Sequence, residues 1–398
     1  MSSNWALKTL VARSSFAWQT SDMSRIVQVE ALPIRYPEPT DHNRFRSVCL
    51  VRITGEDGHV GWGECCTYFP EATLAAAKLV EGMAALVVGA NALHTEAIWL
   101  RLREQSWWYG TGAGLASFAI SGIDIALWDL KGKILGASVL DLLGGPVRDH
   151  LPAIASLHGT KASIDEMADE IATHTATGLH GAKVGFGKAG NARLGFDRAR
   201  DIEFAEKVIA AMGPDKSLMV DLGVKNFWDI ATAIDRARAF EELGVAWLEE
   251  PLGHDDPEGY RALRAATGIR IAYGEREWNA RGVLRILETG TVDVVGLDPG
   301  RVEGITGFRK AADLCALTRR QANAHNFSTA IVGAASQALS WSCPACHVLE
   351  LQPVYGPAQR DLVDRPIWHK AGNVNLPDGC GLGIEVDEAL VRAMRLDA

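Results

Sequence analysis

Eight short, apolar, β-rich runs alternate with helical segments from residue 151 to residue 351, and this repeat constrains the fold more than any other feature. The intervals show the 3–4 spacing of apolar residues that is typical of amphipathic helices, as in 230–243 and 304–317. Strands that alternate with helices predict a parallel sheet, and eight such units predict a (β/α)₈ barrel. The predicted strands are 151–156, 180–186, 217–221, 245–249, 269–275, 292–298, 320–325 and 347–351.

The part of the chain before residue 151 has a different, α+β pattern. Segment 26–34 alternates like a strand, and 47–53 and 59–64 flank the turn Gly-Glu-Asp-Gly, which predicts a hairpin. Helical periodicity follows from residue 71 to about residue 145. The tail after residue 365 has a turn-rich segment that leads into a final helix.

Six of the predicted strands carry, at their last position or one residue before it, a residue that can bind a metal ion or move a proton. In a barrel, such side chains point into the mouth at the C-terminal face, where barrel enzymes place their chemistry. Barrel strands are buried on both sides, so charge there is costly unless it has a use. The pattern therefore predicts an active site built from Asp221, Glu249, Glu275, Asp298, His325 and Glu350.

The residue types indicate roles. Asp221, Glu249 and Glu275 end three successive strands, and three converging carboxylates can share a hard cation such as Mg²⁺, which prefers oxygen ligands. The alternative for these acids is strand-end capping or salt bridges to nearby loops. Asp298 beside His325 would orient the imidazole and raise its basicity, which suits general acid–base catalysis.

Lys183, in the second predicted strand, is a further candidate base. A lysine in a partly dry site near a metal can have a lowered pKa. The alternative is a lysine on a surface loop just past the strand.

Charge and composition exclude several classes of function. The formal net charge of −9 provides no basic surface for nucleic acid, and no apolar run is long enough for a membrane helix. The first residues lack the apolar core of a secretory signal. Seven cysteines without framework spacing fit reduced thiols, and the Cys343–Cys346 pair is expected to belong to the core. We therefore expect a cytoplasmic protein that acts on a small molecule.

These residues together resemble the enolase superfamily and, within it, the mandelate racemase group. The resemblance covers the chain from about Arg25, and its motifs are specific in combination. They are MVD (219–221), WLEEP (247–251), YGE (273–275), GLDPGRVEGITG (296–307), NAH (323–325), SGIDIALWDLKGKILGASVLDLLGG (121–145) and NLPDGCGLGI (375–384).

The resemblance implies a modified TIM barrel with an α+β capping domain formed by the N-terminal part and the C-terminal tail. We expect an N-terminal extension over 1–24, the capping domain over 25–150, the barrel over 151–365 and a returning segment over 366–398. It further implies one Mg²⁺ per subunit on the three carboxylates, a small-molecule carboxylate substrate and a homo-oligomer. The implied reaction removes the proton α to a carboxylate through an enediolate stabilised by the metal. In this family Asp298 and His325 match a catalytic dyad, and Glu350 matches the acid that contacts the substrate carboxylate.

One departure from the family pattern concerns the second barrel strand, which usually reads Lys-x-Lys, then an apolar residue and Gly. Aligned on Gly185, Lys183 takes the second lysine, which is the base, and Gly181 replaces the first. The other alignment puts Lys183 on the first lysine and Gly185 on the second, which leaves His325 as the only base. The first alignment keeps the Val-Gly that follows the base, and we prefer it on sequence grounds.

Substrate contacts are expected from two regions. The capping domain offers Arg46, Tyr68 and Tyr109, and residues just past strand ends offer Arg276 and Arg301 for a second carboxylate. Each also has an interpretation as a packing or ion-pairing residue.

The preferred reaction is dehydration of an acid sugar, an aldonate or aldarate, to a 2-keto-3-deoxy product. One base takes the α-proton and His325 helps the β-hydroxyl leave as water. Racemisation or epimerisation, with Lys183 and His325 on opposite faces of one carbon, is the main alternative. A cycloisomerase and a non-catalytic metal-dependent binding protein are the others.

Overall fold

The computed structural model describes residues 24–110, 113–187, 192–223 and 228–397. Almost all of the predicted N-terminal extension lies outside these ranges. Within them, no helix is both long and apolar enough to cross a bilayer.

The N-terminal part forms an antiparallel three-stranded sheet of β1 (Ile26–Glu38), β2 (Arg44–Gly55) and β3 (Val60–Tyr68). Helices α1 (Pro70–Val87), α2 (Thr95–Ser106), α3 (Leu115–Leu135) and α4 (Val139–Leu142) follow it. Strand β3 lies directly on α3, since a Cβ on Gly63 would collide with the backbone carbonyl of Gly122. The predicted α+β pattern is confirmed, with a longer hairpin than the sequence indicated.

The second part is a closed parallel barrel of eight strands with helices between them, as predicted. The strands are β4 (Ala153–His158), β5 (Gly181–Gly185), β6 (Ser217–Asp221), β7 (Trp247–Glu249), β8 (Ile271–Tyr273), β9 (Val294–Leu297), β10 (Gln321–Ala324) and β11 (Cys346–Leu351). The helices are α5 (Ile164–Thr175), α6 (Arg198–Met212), α7 (Ile230–Leu243), α8 (Pro257–Ala266), α9 (Ala280–Glu288), α10 (Gly304–Leu317) and α11 (Ala330–Ser342).

Local sequence explains where these helices begin. Ser163 and Glu166 form a reciprocal capping box at the start of α5, and the side chains of Asp229 and Asn279 accept backbone N–H groups at the starts of α7 and α9. Such caps satisfy N–H groups that have no partner within the helix.

The barrel interior is layered. An apolar layer low in the barrel is formed by Ile154, Met219, Trp247, Ala272 and Val294. Two residues further along the strands, Asp221 lies beside Glu249 on one side and Gly185 on the other. Asp221 and Glu249 therefore lie one layer above this apolar cluster, at the C-terminal mouth.

The tail returns to the first sheet. After β12 (His369–Lys370), β13 (Asn373–Val374) and α12 (Glu388–Ala393), Arg395 bridges Ile34 on β1. Cys343 and Cys346 are buried free thiols at the start of β11 and just before it.

Candidate active site

A cavity of about 460 Å³ lies between the capping sheet and the barrel mouth. Its walls combine side chains from the ends of barrel strands with side chains from the end of β3 and the start of β2. Predicted site residues in its lining are Arg46, Tyr68, Lys183, Asp221, Glu275, Arg276, Arg301 and His325.

Lys183 forms ion pairs with three carboxylates on one side of the site. Its ammonium Nζ lies 3.0 Å from Glu249 Oε1, 3.0 Å from Glu350 Oε1 and 3.5 Å from Asp221 Oδ2, with the side chain 4% exposed. Burial disfavours the charged ammonium, but these three carboxylates outweigh it and hold the pKa of Lys183 well above its usual value. This direction is opposite to the lowered pKa expected from the sequence.

Burial also shifts the pKa values of the carboxylates in this cluster. Burial raises the pKa of Glu249 to about 8, with Lys183 opposing the shift. Burial also raises the pKa of Asp221. Trp247 Nε1 donates to the second oxygen of Glu249 at 3.0 Å, so this carboxylate is oriented from below.

His325 and Asp298 form the predicted pair. His325 Nδ1 lies 2.8 Å from Asp298 Oδ2, and Nε2 lies 3.2 Å from Glu275 Oε2. Burial opposes a charge on the imidazole, but Glu275 and Asp298 together raise the pKa of His325. Against the effect of burial, His325 and Arg301 lower the pKa of Glu275 to about 2. Asp298 fixes Nδ1, so Nε2 is the nitrogen on the side of Glu275, and both of these side chains line the cavity.

Glu350 lies beneath the cavity and is fully buried. Ser156 Oγ donates to its Oε2 at 2.8 Å, and the Asn323 amide donates to Oε1. With the ammonium of Lys183, these donors satisfy a buried carboxylate.

Two capping residues form the upper wall. The guanidinium of Arg46 lies over the rings of Tyr68 and Phe327, with centroid distances of 4.9 Å and 4.8 Å. Arg46 Nη1 and the Tyr68 hydroxyl both donate to the backbone carbonyl of Phe327, at 3.1 Å and 2.9 Å. Capping domain and barrel are thus joined at the cavity rim.

The other two arginines already have carboxylate partners. Arg276 Nη2 lies 2.5 Å from the buried Glu250. Arg301 lies 3.3 Å from Asp298 and 3.7 Å from Glu275. Their charges offset acids of the site, and both side chains also reach the cavity lining.

Among the described residues, Tyr109 is not part of the cavity lining. It lies in a 3₁₀ turn after α2, half exposed, with Gln105 Nε2 3.4 Å from its hydroxyl. Sequence reasoning missed His158, Phe118, Trp278 and Phe327 in the lining. His158 was missed because the first barrel strand was predicted to end at Ser156, two residues too early.

The three predicted ligands suit a divalent cation by donor type and by charge. Asp221 and Glu249 are neighbours in register, and Glu275 follows the next strand. Within the described ranges no three His, Cys, Asp or Glu side chains converge closely enough to hold an ion as they stand. The Lys183 ammonium is instead the cation among them, which shows that this cluster accommodates positive charge.

Comparison with known proteins gives a consistent result. Residues 24–144 match the N-terminal domain model of mandelate racemase and muconate lactonizing enzyme, and residues 166–390 match the enolase C-terminal domain-like model. The chain is 32% identical over 370 residues to a D-galactarolactone cycloisomerase of Agrobacterium fabrum, covering 88% of this chain and 92% of that protein. It is 30% identical over 399 residues to a D-gluconate dehydratase of Thermoproteus tenax, covering 100% and 79%.

Among solved structures, the 3,6-anhydro-D-galactonate cycloisomerase from Zobellia galactanivorans is similar, with a TM-score of 0.83 and 27% identity. The match covers 94% of this chain and 99% of that one.

Proposed function

The chain belongs to the mandelate racemase group of the enolase superfamily and is an enzyme of that superfamily, and from this premise we propose that it dehydrates an acid sugar after removing the proton α to its carboxylate. The observation that carries the proposal is the pair of opposing groups in one cavity. The carboxylates of Asp221 and Glu275 line the cavity, and so does the imidazole of His325, which Asp298 orients.

Asp221, Glu249 and Glu275 would hold one Mg²⁺ per subunit. Bound there, the ion would withdraw electrons from the substrate carboxylate and lower the cost of removing the proton on the next carbon. Arg301 and the Lys183 ammonium offset the remaining negative charge of the acids around it.

We assign the base to His325 and a charge-neutralising role to Lys183. In register, Lys183 lies level with Met219 and Trp247 in the apolar layer, and its long side chain reaches up to the carboxylates. Gly185 is the residue level with Asp221 at the mouth. This register supports the alignment in which Gly185 takes the place of the second lysine, contrary to the alignment that we preferred on sequence grounds.

The His325 imidazole would take the α-proton through Nε2, because Asp298 accepts from Nδ1 and keeps the ring in that tautomer. The C–H electron pair then expels the β-hydroxyl, which leaves as water with the proton that His325 Nε2 has just taken. Acid sugars offer both the α-proton and the β-hydroxyl. The D-gluconate dehydratase relative, similar along the whole chain, supports this reaction class.

Cycloisomerisation is the second candidate, and the 32% identity to a D-galactarolactone cycloisomerase favours it. It begins with the same proton removal but expels a ring oxygen that stays attached to the product. Both reactions need one base, whereas epimerisation needs a proton donor on the opposite face.

The test is a panel of aldonates, aldarates and their lactones, incubated with the enzyme and Mg²⁺ in D₂O and followed by NMR. We expect loss of the β-hydroxyl and deuterium at C3 of a 2-keto-3-deoxy product. Ring opening without loss of water would support the cycloisomerase, and inversion at C2 would support the epimerase. Absence of both exchange and turnover across the panel would refute the enzyme assignment of this site.

A further inference from the structure

We propose that Tyr68 of the capping domain is a positioning residue, which acts on the His325 imidazole through Arg301. The catalytic role of His325 and its partner Asp298 rests on the proposed function. The contacts that connect Tyr68 to this dyad are independent of it.

Arg301 contacts the partners of both ring nitrogens of His325. Asp298 Oδ2 lies 2.8 Å from His325 Nδ1 and 3.3 Å from Arg301 Nε, so the imidazole and the guanidinium share one oxygen. On the other side of the ring, Glu275 Oε2 lies 3.2 Å from Nε2. Arg301 Nη1 donates to the backbone carbonyl of Glu275 at 3.3 Å and lies 3.7 Å from its Oε1. A displaced guanidinium would therefore release a neighbour of the imidazole on each side.

The guanidinium of Arg301 lies in turn against the ring of Tyr68. Its central carbon Cζ is 5.0 Å from the ring centroid, within the range of a cation–π contact. The Arg301 side chain is only 9% exposed. Because such contacts are stronger where the cation is desolvated, the ring of Tyr68 is well placed to orient this guanidinium.

The end of β3 is fixed to segment 298–301 by its backbone as well. The Cys66 N–H donates to the carbonyl of Gly300 at 3.2 Å, and a Cβ on Gly300 would collide with the Cys66 sulfur. Tyr68 ends the strand with a φ of 64°, in the left-handed region that a tyrosine rarely adopts. Its hydroxyl donates to the Phe327 carbonyl at 2.9 Å. A strained backbone persists where surrounding contacts hold it, and here those contacts hold the ring beside the barrel mouth.

This series of contacts gives the capping domain a part in proton transfer. A base acts only when its nitrogen is held in line with the proton that it removes, and a misplacement of about 1 Å can cost about 10²-fold in rate. Without the Tyr68 ring, Arg301 loses the contact that orients it. Removal of the α-proton should then slow while the affinity for substrate is kept.

The first test needs no turnover. In the ¹H spectrum of the Mg²⁺-loaded protein, an imidazole N–H that is bonded to a carboxylate gives a signal at low field, and the signal missing in His325→Asn identifies this proton. We expect Tyr68→Leu to shift or abolish the signal and Tyr68→Phe, which keeps the ring, to preserve it. Arg301→Lys keeps the charge without the planar group and should act like Tyr68→Leu, so it replaces that variant if the latter does not fold. An unchanged signal would overturn the proposal.

The second test separates kcat from KM on the best substrate of the acid-sugar and lactone panel. We expect Tyr68→Leu to lower kcat about 10–100-fold with KM within about threefold of wild type, and Tyr68→Phe to recover most of that loss. Adding Tyr68→Leu to Arg301→Lys should cost less than about threefold more, since both substitutions break the same series of contacts. The matched control is Tyr355→Leu, at a half-exposed tyrosine outside the described cavity lining, which should change nothing.

A raised KM with unchanged kcat in Tyr68→Leu would show that the ring binds substrate and would overturn the proposal. Fully additive losses in the double variant would show that Tyr68 acts independently of Arg301, which would overturn it as well. If no member of the panel turns over, the proposed function fails, while the low-field signal still decides whether Tyr68 positions the dyad.

Discussion

Replacing Lys183 by Met tests how the acidic cluster is stabilised. The substitution keeps the side chain as far as Cε but removes an ammonium that lies 3.0 Å from Glu249, 3.0 Å from Glu350 and 3.5 Å from Asp221. At 3.0 Å each ion pair represents a gross attraction of about 5 kcal/mol at an effective dielectric constant of ~20. The cost of desolvating the ammonium offsets part of that attraction. Removing one member of a buried pair typically costs about 3–5 kcal/mol, because the remaining carboxylates stay buried without a partner.

We therefore expect Lys183→Met to lower the free energy of unfolding by about 3–5 kcal/mol in EDTA, measured by urea denaturation. Added Mg²⁺ should reduce this difference, since a ligand that binds only the folded state stabilises it and the variant has no competing ammonium. The matched control is Lys78→Met, which breaks a shorter ion pair of 2.7 Å on the surface. That pair is solvated, so its loss should leave stability unchanged. Equal stability of Lys183→Met and wild type in EDTA, or a difference that Mg²⁺ does not reduce, would refute the reasoning.

Three further predictions concern the dyad, the metal site and the contact between capping domain and barrel. His325→Asn should lower the rate of α-proton exchange about 10²–10⁴-fold while Mg²⁺-induced stabilisation is retained; exchange at the wild-type rate would contradict its role as base. Glu275→Gln should abolish the rise in melting temperature that Mg²⁺ produces, measured by calorimetry, and an undiminished rise would remove Glu275 from the ligand set. Burial raises the pKa of Asp124, which accepts from Thr306 on α10, to about 7. The folded protein holds the proton on Asp124 more tightly than the unfolded chain does, so the stability that this proton contributes is lost as the pH rises from about 4 to about 7. Wild type should therefore lose about 2–3 kcal/mol more stability than Asp124→Asn between pH 5 and pH 8. Parallel pH profiles of stability for the two proteins would contradict this.

Much of the site could be predicted because its residues lie at fixed places in a local sequence pattern. Asp221, Glu249 and Glu275 each follow a short apolar run, and the alternation of such runs with helices places all three at one end of a barrel. Strand ends near them were predicted within about two residues, and β6 was predicted with the bounds that the structure has. Asp298 and His325 were placed on neighbouring strands by the same argument, and their 2.8 Å contact confirms it.

The level of Lys183 in the barrel and the position of His158 could not be predicted from local sequence pattern. Two alignments of the second strand were open, since nothing local distinguishes Lys183 at the mouth from Lys183 one layer below it. The lateral register between β5 and β6 separates them, because a shift of two residues moves a side chain by a whole layer. His158 gains its position only because Gly185 on the adjacent strand has no side chain.

The sequence by itself therefore determined the barrel, the position of the three carboxylates at or just past the ends of successive strands, and the pairing of Asp298 with His325, because each depends on the alternation and length of single segments. Tertiary structure alone decided which cation lies among the carboxylates and which side chain fills the wall beside Gly185. Those outcomes depend on distances between side chains that belong to different strands. In a close-packed interior, the space left by a missing side chain on one strand is filled by a neighbouring side chain that can reach it.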